Sequence, residues 1–364
     1  MKKLIVLCII NLCVLCFGIP NSQASQLNFS VTPILPENQK DKDKSYFDLQ
    51  VEKAKEQELT VKLKNGTDKN VTVDTSINRA TTNLNGVVEY GKTKDKKDAS
   101  LVYNIEDFIE ITEPEIDIPA HEEKQLILKV KGIPEVFDGI LVGGLTFKEK
   151  QEEEDTKEDT SQGLAIANEY AYVVGIVLHG ENEDIPSDIK LTNAEAAQVN
   201  ARNVINASLQ NPKPKYLSNL SIDAVVTKKG SKDVLYSSKK KDMQMAPNSN
   251  FSYPIPLEGE ALKSGEYNVS MNIKSVNDQW ELSKDFTIDK ETADSLNEKD
   301  VTIKKNDTWI YVVIGFSLLM IALAIILVIL YKYRKQERIK KEKQRRRRAA
   351  IQRRKRQNKT NYSK

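Results

Sequence analysis

Hydrophobic and polar residues alternate with a period of two through most of the central chain. In the segment LTVKLKN, Leu59, Val61 and Leu63 alternate with polar residues, and the segments INASLQN, LSIDAVV and YNVSMNI repeat this pattern in the second half. A period of two is typical of antiparallel strands with one buried face and one face in water. The pattern therefore predicts an all-β fold.

The two halves of the patterned region also resemble each other. Each half has a strand that ends in an asparagine before a turn, Asn65 and Asn211, and each later has a corner centred on a proline, Pro119 and Pro247. The region is too long for one ordinary sandwich and suits two domains. We expect two tandem immunoglobulin-like β-sandwich domains followed by a single C-terminal transmembrane helix.

Changes in composition set the expected boundaries of these parts. The segment KEKQEEEDTKEDTSQG has no apolar residue, so it cannot bury surface, and a second charged stretch follows the last patterned strand. The predicted parts are a signal peptide over 1–24, a β-sandwich over 25–150, a charged linker over 151–162, a second β-sandwich over 163–290, a stalk over 291–308, a transmembrane helix over 309–331 and a basic tail over 332–364.

A glycine-rich stretch, FDGILVGGLTF at 137–147, has two interpretations. A phosphate-binding loop would need its glycines between a strand and a helix, followed by a lysine and a serine or threonine. Here the glycines fall inside an apolar run whose two faces are both mostly apolar when it is extended. We expect a strand that is buried centrally or against a neighbouring domain, with glycines that leave room for bulky groups or mark a bulge.

Both ends of the chain indicate export and membrane attachment. Lys2 and Lys3 precede an apolar run and a small-residue site, as in a secretory signal, so we expect cleavage between Ala24 and Ser25. Near the other end, 310–330 is uncharged over about 32 Å of helix, close to the thickness of a bilayer core. Trp309 and Tyr331 flank this span as interfacial anchors should.

Charge predicts the orientation of that span. The tail from Tyr331 to Lys364 carries 17 lysines and arginines against two glutamates, a net charge of +15, while the whole chain carries +3. Removing the tail and the two N-terminal lysines leaves about −14 on the exported portion. Positive residues remain in the cytoplasm, so we expect a single-pass type I protein of the cell membrane with extracellular N-terminal domains. A solvated tail near anionic lipid explains these charges more simply than nucleic-acid binding.

The residues give little support for catalysis. All three cysteines, Cys8, Cys13 and Cys16, lie in the predicted signal, so the mature chain has no thiol chemistry. The two histidines, His121 and His179, are not at a zinc-binding spacing, and no Gly-x-Ser-x-Gly motif or EF-hand loop is present. We therefore expect no enzyme activity, no cofactor and no metal site.

Seven sequence blocks together resemble one protein family. They are FSVTPILPENQ, SYFDLQV, RATTNLNGVVEY, DASLVYNI and FDGILVGGLTF in the first half, and NEYAYVVGIVLHG and MQMAPNSNF in the second. In this order they resemble the WxL-interacting proteins of Gram-positive bacteria. The resemblance implies an N-terminal peptidoglycan-binding domain, a second, host-binding domain, and WxL-type wall proteins and host proteins as partners.

These arguments favour a non-enzymatic surface scaffold or adhesion protein, tethered to the membrane by one helix, that binds peptidoglycan and WxL-type proteins. Polar side chains and aromatic faces recognise wall glycan, so RATTNLNGVVEY is the expected contact region, through the residues Thr81, Thr82, Asn83, Asn85 and Tyr90. The alternative for this segment is a turn-rich connection with no ligand. Alternative functions are a wall-modifying enzyme that uses His121 or His179, and a receptor that signals through its basic tail.

Overall fold

The computed structural model describes residues 28–150, 170–303 and 308–361. The chain divides into two compact units, Met1–Thr302 and Ile303–Lys364. The predicted signal peptide, its Ala24–Ser25 cleavage site and the predicted linker lie outside the described residues. Every residue of the three buried apolar clusters lies in the first unit, which therefore builds its cores without the C-terminal helix.

Eighteen strands and two short helices make up the described part of the first unit. The strands are β1 Phe29–Ile34, β2 Phe47–Gln50, β3 Gln57–Asn65, β4 Val71–Arg79, β5 Thr81–Thr82, β6 Val88–Glu89, β7 Ile109–Ile111, β8 Glu115–Ile118, β9 Glu123–Val130, β10 Ile140–Glu149, β11 Ala171–His179, β12 Lys190–Val199, β13 Arg202–Asn211, β14 Leu217–Lys228, β15 Val234–Met245, β16 Ser249–Pro256, β17 Gly265–Lys274 and β18 Gln279–Ile288. The helices are α1 Ile105–Phe108 and α2 Lys290–Lys299.

These strands form two β-sandwiches, which confirms the predicted fold class. The first sandwich pairs a sheet of order β1-β3-β9-β7 with a sheet of order β2-β11-β10-β4-β8, and the second pairs β12-β13-β16 with β15-β14-β17-β18. The remaining strands, β5 and β6, form a small hairpin. Each sandwich encloses its own apolar core, in which the alternating residues of the sequence pattern, such as Val61 and Ile222, are fully buried.

The predicted resemblance between the two halves appears as a repeated hydrogen-bonded corner. The side-chain amide of Asn65 donates to the carbonyl oxygens of Lys69 and Ile118, at 2.7 and 2.9 Å. The amide of Asn211 likewise donates to Lys215 and Ala246, at 2.8 and 3.0 Å. Both asparagines are fully buried, and Ile118 and Ala246 each directly precede the proline of a corner. Each amide therefore satisfies backbone acceptors that the turn would otherwise bury unpaired.

The glycine-rich segment is strand β10, as expected, and it lies between β11 and β4 in its sheet. Leu141, Leu145 and Phe147 project from one face into the first core, while Val142 projects from the other face towards the second sandwich. A side chain at Gly144 would place its Cβ 2.6 Å from the Cβ of Tyr90, so this glycine leaves room for the tyrosine. Both faces of β10 are thus covered.

The structure differs from the predicted boundary between the domains. Strand β11 was expected in the second sandwich, which was predicted to start at residue 163, yet it pairs antiparallel with β10 and parallel with β2 in the first. Its residues Val174, Ile176 and Leu178 lie in the first core. A nearly continuous apolar strand such as β11 fits either sandwich equally well, so its sequence alone does not reveal its partners. The strands of the second sandwich begin with β12.

The predicted stalk also begins later than expected, because α2 packs on the second sandwich. Asp289 caps this helix by accepting a hydrogen bond from the Thr292 amide at 2.7 Å, and Ala293 is buried in the second core. Asn297 holds the end of the helix by bonding the backbone N–H and carbonyl of Leu262 at 2.8 and 2.9 Å. The segment is mostly polar and charged, so its sequence predicted an exposed stalk and not a helix packed on the sandwich.

The second unit contains helix α3, Thr308–Asn361. Within the described residues it is the one helix long and apolar enough to cross a membrane. The expected anchors Trp309 and Tyr331 both lie on it and are exposed. The helix continues beyond the predicted span of 309–331 into the basic tail without a break.

Candidate functional site

The two sandwiches of the first unit contact each other through a small apolar cluster. Val142 of β10 and Val177 of β11 are 7% and 8% exposed, and Ala246 of the second sandwich is fully buried beside them. Partly buried side chains surround this cluster: Tyr46, Val88, Tyr90, Ile140 and Tyr216. The part of the outward face around Val142 and Val177 is therefore covered by the second sandwich.

Two tyrosines join the sandwiches at this cluster. The hydroxyl oxygens of Tyr90 and Tyr216 lie 2.8 Å apart and share a hydrogen bond. Burial raises the pKa of the Tyr216 hydroxyl, and the neighbouring Tyr90 raises that pKa further. The Tyr216 hydroxyl is therefore neutral at physiological pH, which suits a hydrogen bond at a largely apolar boundary.

The β5–β6 hairpin accepts hydrogen bonds from backbone amides of the second sandwich. The Thr82 hydroxyl accepts a hydrogen bond from the Ala246 amide at 2.9 Å, and the Gly86 carbonyl accepts one from the Gln244 amide at 2.7 Å. Gly86 has a φ of +71°, and the side chain of Met243 occupies the space that a Cβ would need. Glycine is required there for both reasons.

A carboxylate forms a further polar link between the sandwiches. Asp98, in the loop after the hairpin, accepts from the side-chain amides of Gln210 at 2.9 Å and Asn250 at 2.7 Å, both in the second sandwich. It also accepts from the backbone N–H of Ser100 at 2.8 Å, and the Ser100 carbonyl in turn accepts from the Asn248 amide at 3.0 Å. We call this group of side chains the Asp98 clamp.

The Asp98 clamp gives a testable titration. Partial burial acts to raise the pKa of Asp98, but hydrogen bonds from Ser100, and then from Gln210 and Asn250, outweigh it and hold the pKa below its ordinary value. A lowered pKa means that the clamp is fully formed above about pH 4 and is lost as pH falls through the lowered pKa. Following the Asp98 carboxyl carbon by NMR from pH 6 to pH 2 should give a midpoint below 3.8, the ordinary value.

Variants of Gln210 and Asn250 test whether their hydrogen bonds lower the pKa of Asp98. Replacing Gln210 and Asn250 with alanine is expected to raise the Asp98 midpoint, because the carboxylate loses two donors. Gln198→Ala, which removes an amide that instead contacts Asn203 and Leu296, serves as the control and should leave the Asp98 midpoint in place. An unchanged midpoint in the double variant would contradict the clamp.

A groove of roughly 610 Å³ opens beside the clamp, with walls from both sandwiches. The first sandwich contributes the end of β4, the hairpin and the following loop, and the second contributes the first residues of β16 with Asn248. The polar and charged residues among those lining it are Arg79, Thr81, Thr82, Asn83, Glu89, Lys92, Thr93, Asp95, Lys96, Asp98, Asn248, Ser249, Asn250 and Ser252. This surface suits a polar, extended ligand.

The structure separates the five predicted contact residues. Thr81, Thr82 and Asn83 line the groove, although Thr82 also bonds the second sandwich. Asn83 shapes the turn, because its side-chain oxygen accepts from the amides of Asn85 and Val87 at 2.9 and 3.1 Å. Tyr90 packs at the domain contact, and Asn85 is exposed at the turn. The turn-shaping alternative thus describes part of this segment, and ligand contact by these residues remains a prediction.

Sequence reasoning missed the residues that the second sandwich contributes. Asn248 and Asn250 belong to the polar run NSN at the start of β16, which was a usable signal. Asp98 carries no such signal, because it resembles any acidic residue of a charged loop until the fold brings Gln210 beside it.

The two histidines are held by carboxylates. His179 is largely buried, with Nε2 2.5 Å from Asp48 and Nδ1 3.0 Å from Glu183, and Lys40 bonds Glu183 from the other side. His121 is exposed, with Nε2 2.7 Å from Asp68. In the part of the chain that the structure describes, no group of three or more His, Cys, Asp and Glu residues could hold a metal ion.

Comparison with protein families identifies both halves of the first unit. Residues 29–149 match the model described as WxL Interacting Protein, peptidoglycan binding domain. Residues 161–298 match the model described as WxL Interacting Protein, host binding domain. The second model begins before β11, so it includes a strand that folds into the first sandwich. No curated protein matches the chain.

Solved structures resemble the chain only distantly. A chaperone–tip adhesion subunit complex from Csu pili of Acinetobacter baumannii is 12% identical, with a TM-score of 0.30, and the match covers 62% of this chain and 90% of that one. The Escherichia coli chaperone DraB is 12% identical, with a TM-score of 0.26, over 72% of this chain and 96% of that one.

Proposed function

Because the chain belongs to the WxL interacting protein family, we propose that it is a non-enzymatic, membrane-anchored surface protein that binds peptidoglycan and WxL-type surface proteins of a Gram-positive bacterium. The observation that carries this proposal is the ordered match of both domain models of the family, over 29–149 and 161–298. Host proteins are further partners under this proposal.

The geometry of the first unit supports binding rather than catalysis. The described residues offer an open polar groove between two sandwiches, which suits an extended polymer. Both ring nitrogens of His179 lie within 3.0 Å of carboxylate oxygens of Asp48 and Glu183, so both are engaged by contacts within the protein. A membrane anchor with domains held outside the cell can position other proteins between membrane and wall.

Two binding assays test the proposed function together. The exported portion, residues 25–303, is expected to pellet with insoluble cell wall and to capture a purified WxL domain. Albumin, which belongs to neither class of partner, sets the background in both assays. Failure of the fragment in both would remove the proposal, and capture of the WxL domain without wall binding would limit it to protein partners.

The proposed orientation has its own test. Under the proposal, protease added to intact, wall-stripped cells digests the two sandwiches and spares the basic tail, because the tail follows a span whose positive end stays in the cytoplasm. Antibodies against each end of the chain would report the result. Digestion of the tail with survival of the sandwiches would show the opposite orientation.

A further inference from the structure

The charged groups of the groove differ in whether they already have partners. Glu89 accepts a hydrogen bond from Asn83, and Asp98 is saturated by its clamp. Lys92 and Lys96 are exposed, and neither ammonium has a protein partner within the described residues. An exposed carboxylate, Asp95, lies on the same loop. The groove therefore offers two free cations and one free anion to a ligand.

The opposite wall offers neutral hydrogen-bonding groups from the second sandwich. The Asn250 amide nitrogen bonds Asp98, which leaves its side-chain oxygen as an acceptor. The Ser252 hydroxyl accepts weakly from Asn206 at 3.5 Å and keeps its own proton to donate. Amide and hydroxyl groups of this kind pair with the hydroxyl and acetamido groups of amino sugars.

We propose that this groove binds a carboxylate-bearing amino-sugar glycan of the cell wall, and that the second sandwich completes the site. Lys92 and Lys96 hold the carboxylates of the peptide substituents, and residues 248–252 hold hydroxyl and amide groups of the glycan. The inference rests on the proposed binding of peptidoglycan, which the family model places in residues 29–149 alone. It adds a ligand-binding wall that comes from the domain described as host-binding.

The domain contact supports a preformed site. The Asp98 clamp and the Tyr90–Tyr216 hydrogen bond fix the two walls of the groove relative to each other before any ligand arrives. A site with fixed walls spends little binding free energy on ordering itself. Both walls must be present for the groove to exist, so loss of the second sandwich removes one wall and the four lining residues that it contributes.

The first test removes the free cations. In the exported portion 25–303, the double variant Lys92→Gln and Lys96→Gln is expected to bind teichoic-acid-free peptidoglycan about fivefold more weakly at low salt, because two exposed ion pairs are lost. The control carries Lys94→Gln and Lys232→Gln, which remove the same charge from exposed lysines outside the groove lining. The control should bind as tightly as the unchanged protein.

The second test places a charge of either sign on the wall that the second sandwich contributes. Ser252→Glu is expected to weaken binding and Ser252→Lys to strengthen it, since each places a charge opposite the ligand carboxylates. Ser208→Glu is the control, because Ser208 pairs with Ser252 in the neighbouring strand but does not line the groove. Opposite changes from one position could not arise from misfolding.

The results of these binding assays distinguish failure of the groove assignment from failure of the proposed function. Equal wall binding by every groove variant would overturn the groove assignment and leave the proposed function intact. No wall binding by the unchanged protein would overturn the proposed function itself. Binding of purified teichoic acid, but not of teichoic-acid-free peptidoglycan, would overturn the proposed ligand class.

Discussion

A fragment that ends at residue 150 is expected to remain unfolded, whereas a fragment over 28–188 is expected to fold cooperatively. The shorter fragment lacks β11, whose side chains Val174, Ile176 and Leu178 are buried in the first core. Burial of three such side chains contributes about 5–9 kcal/mol, which is comparable to the whole stability of a small domain. Circular dichroism and urea unfolding of both fragments would measure the difference.

A matched pair of substitutions in the longer fragment tests the same contact without truncation. Ile176→Ala removes a side chain that is fully buried, and we expect a loss of about 2–5 kcal/mol in the free energy of unfolding. Val173→Ala, in the same strand, alters a side chain that is 49% exposed and should cost far less. Cooperative folding of the 28–150 fragment at full stability would show that β11 is dispensable.

Valine in place of Gly143 is expected to destabilise the first unit by about 3 kcal/mol or more. An added Cβ would lie 2.6 Å from the backbone oxygen of Asn78 in the neighbouring strand and 2.6 Å from the Ile105 side chain. The strand cannot shift locally, because Gly143 pairs with β4 on one side and β11 on the other. Overpacking against backbone at the centre of a sheet forces the whole sheet to adjust.

Gly91 provides the control for this substitution. A Cβ at Gly91 would meet nothing within 4 Å, so Gly91→Val should change the free energy of unfolding by less than about 1 kcal/mol. Urea unfolding of the 28–188 fragment and of its two variants, followed by circular dichroism, gives the comparison. Equal stability of the Gly143 variant and the control would contradict the close packing around β10.

Features that depend on neighbouring residues could be predicted from the sequence. The alternation at Leu59, Val61 and Leu63 determines a buried face whichever strand pairs with it, and all three residues are buried. The two apolar faces of β10 predicted that the strand is buried on both sides. In the structure one face packs in the first core and the other packs towards the second sandwich. The asparagine turns at Asn65 and Asn211 indicated a repeat because they use the same local geometry.

Features that depend on distant residues could not be predicted in this way. Strand β11 has the same pattern as a strand of either sandwich, so only its pairing with β2 and β10 assigns it. The Asp98 clamp joins residues that are 112 and 152 positions apart, and the bond from Ala246 to Thr82 spans 164 positions. The turn in the hairpin depends on local residues such as Asn83, but the contact of the hairpin with the second sandwich has no local signal.

The central claim is that both sandwiches form the groove that binds the cell wall. The most direct test compares wall binding by the two-domain fragment with wall binding by the first sandwich alone. Saturation binding of residues 25–303 and of residues 28–188 to teichoic-acid-free peptidoglycan would be measured side by side, after folding of each is confirmed. The account predicts saturable binding by the two-domain fragment and at least about tenfold weaker binding by the single sandwich, because the single sandwich lacks one wall of the groove. Equal affinity of the two fragments, or no binding by the larger one, would contradict it.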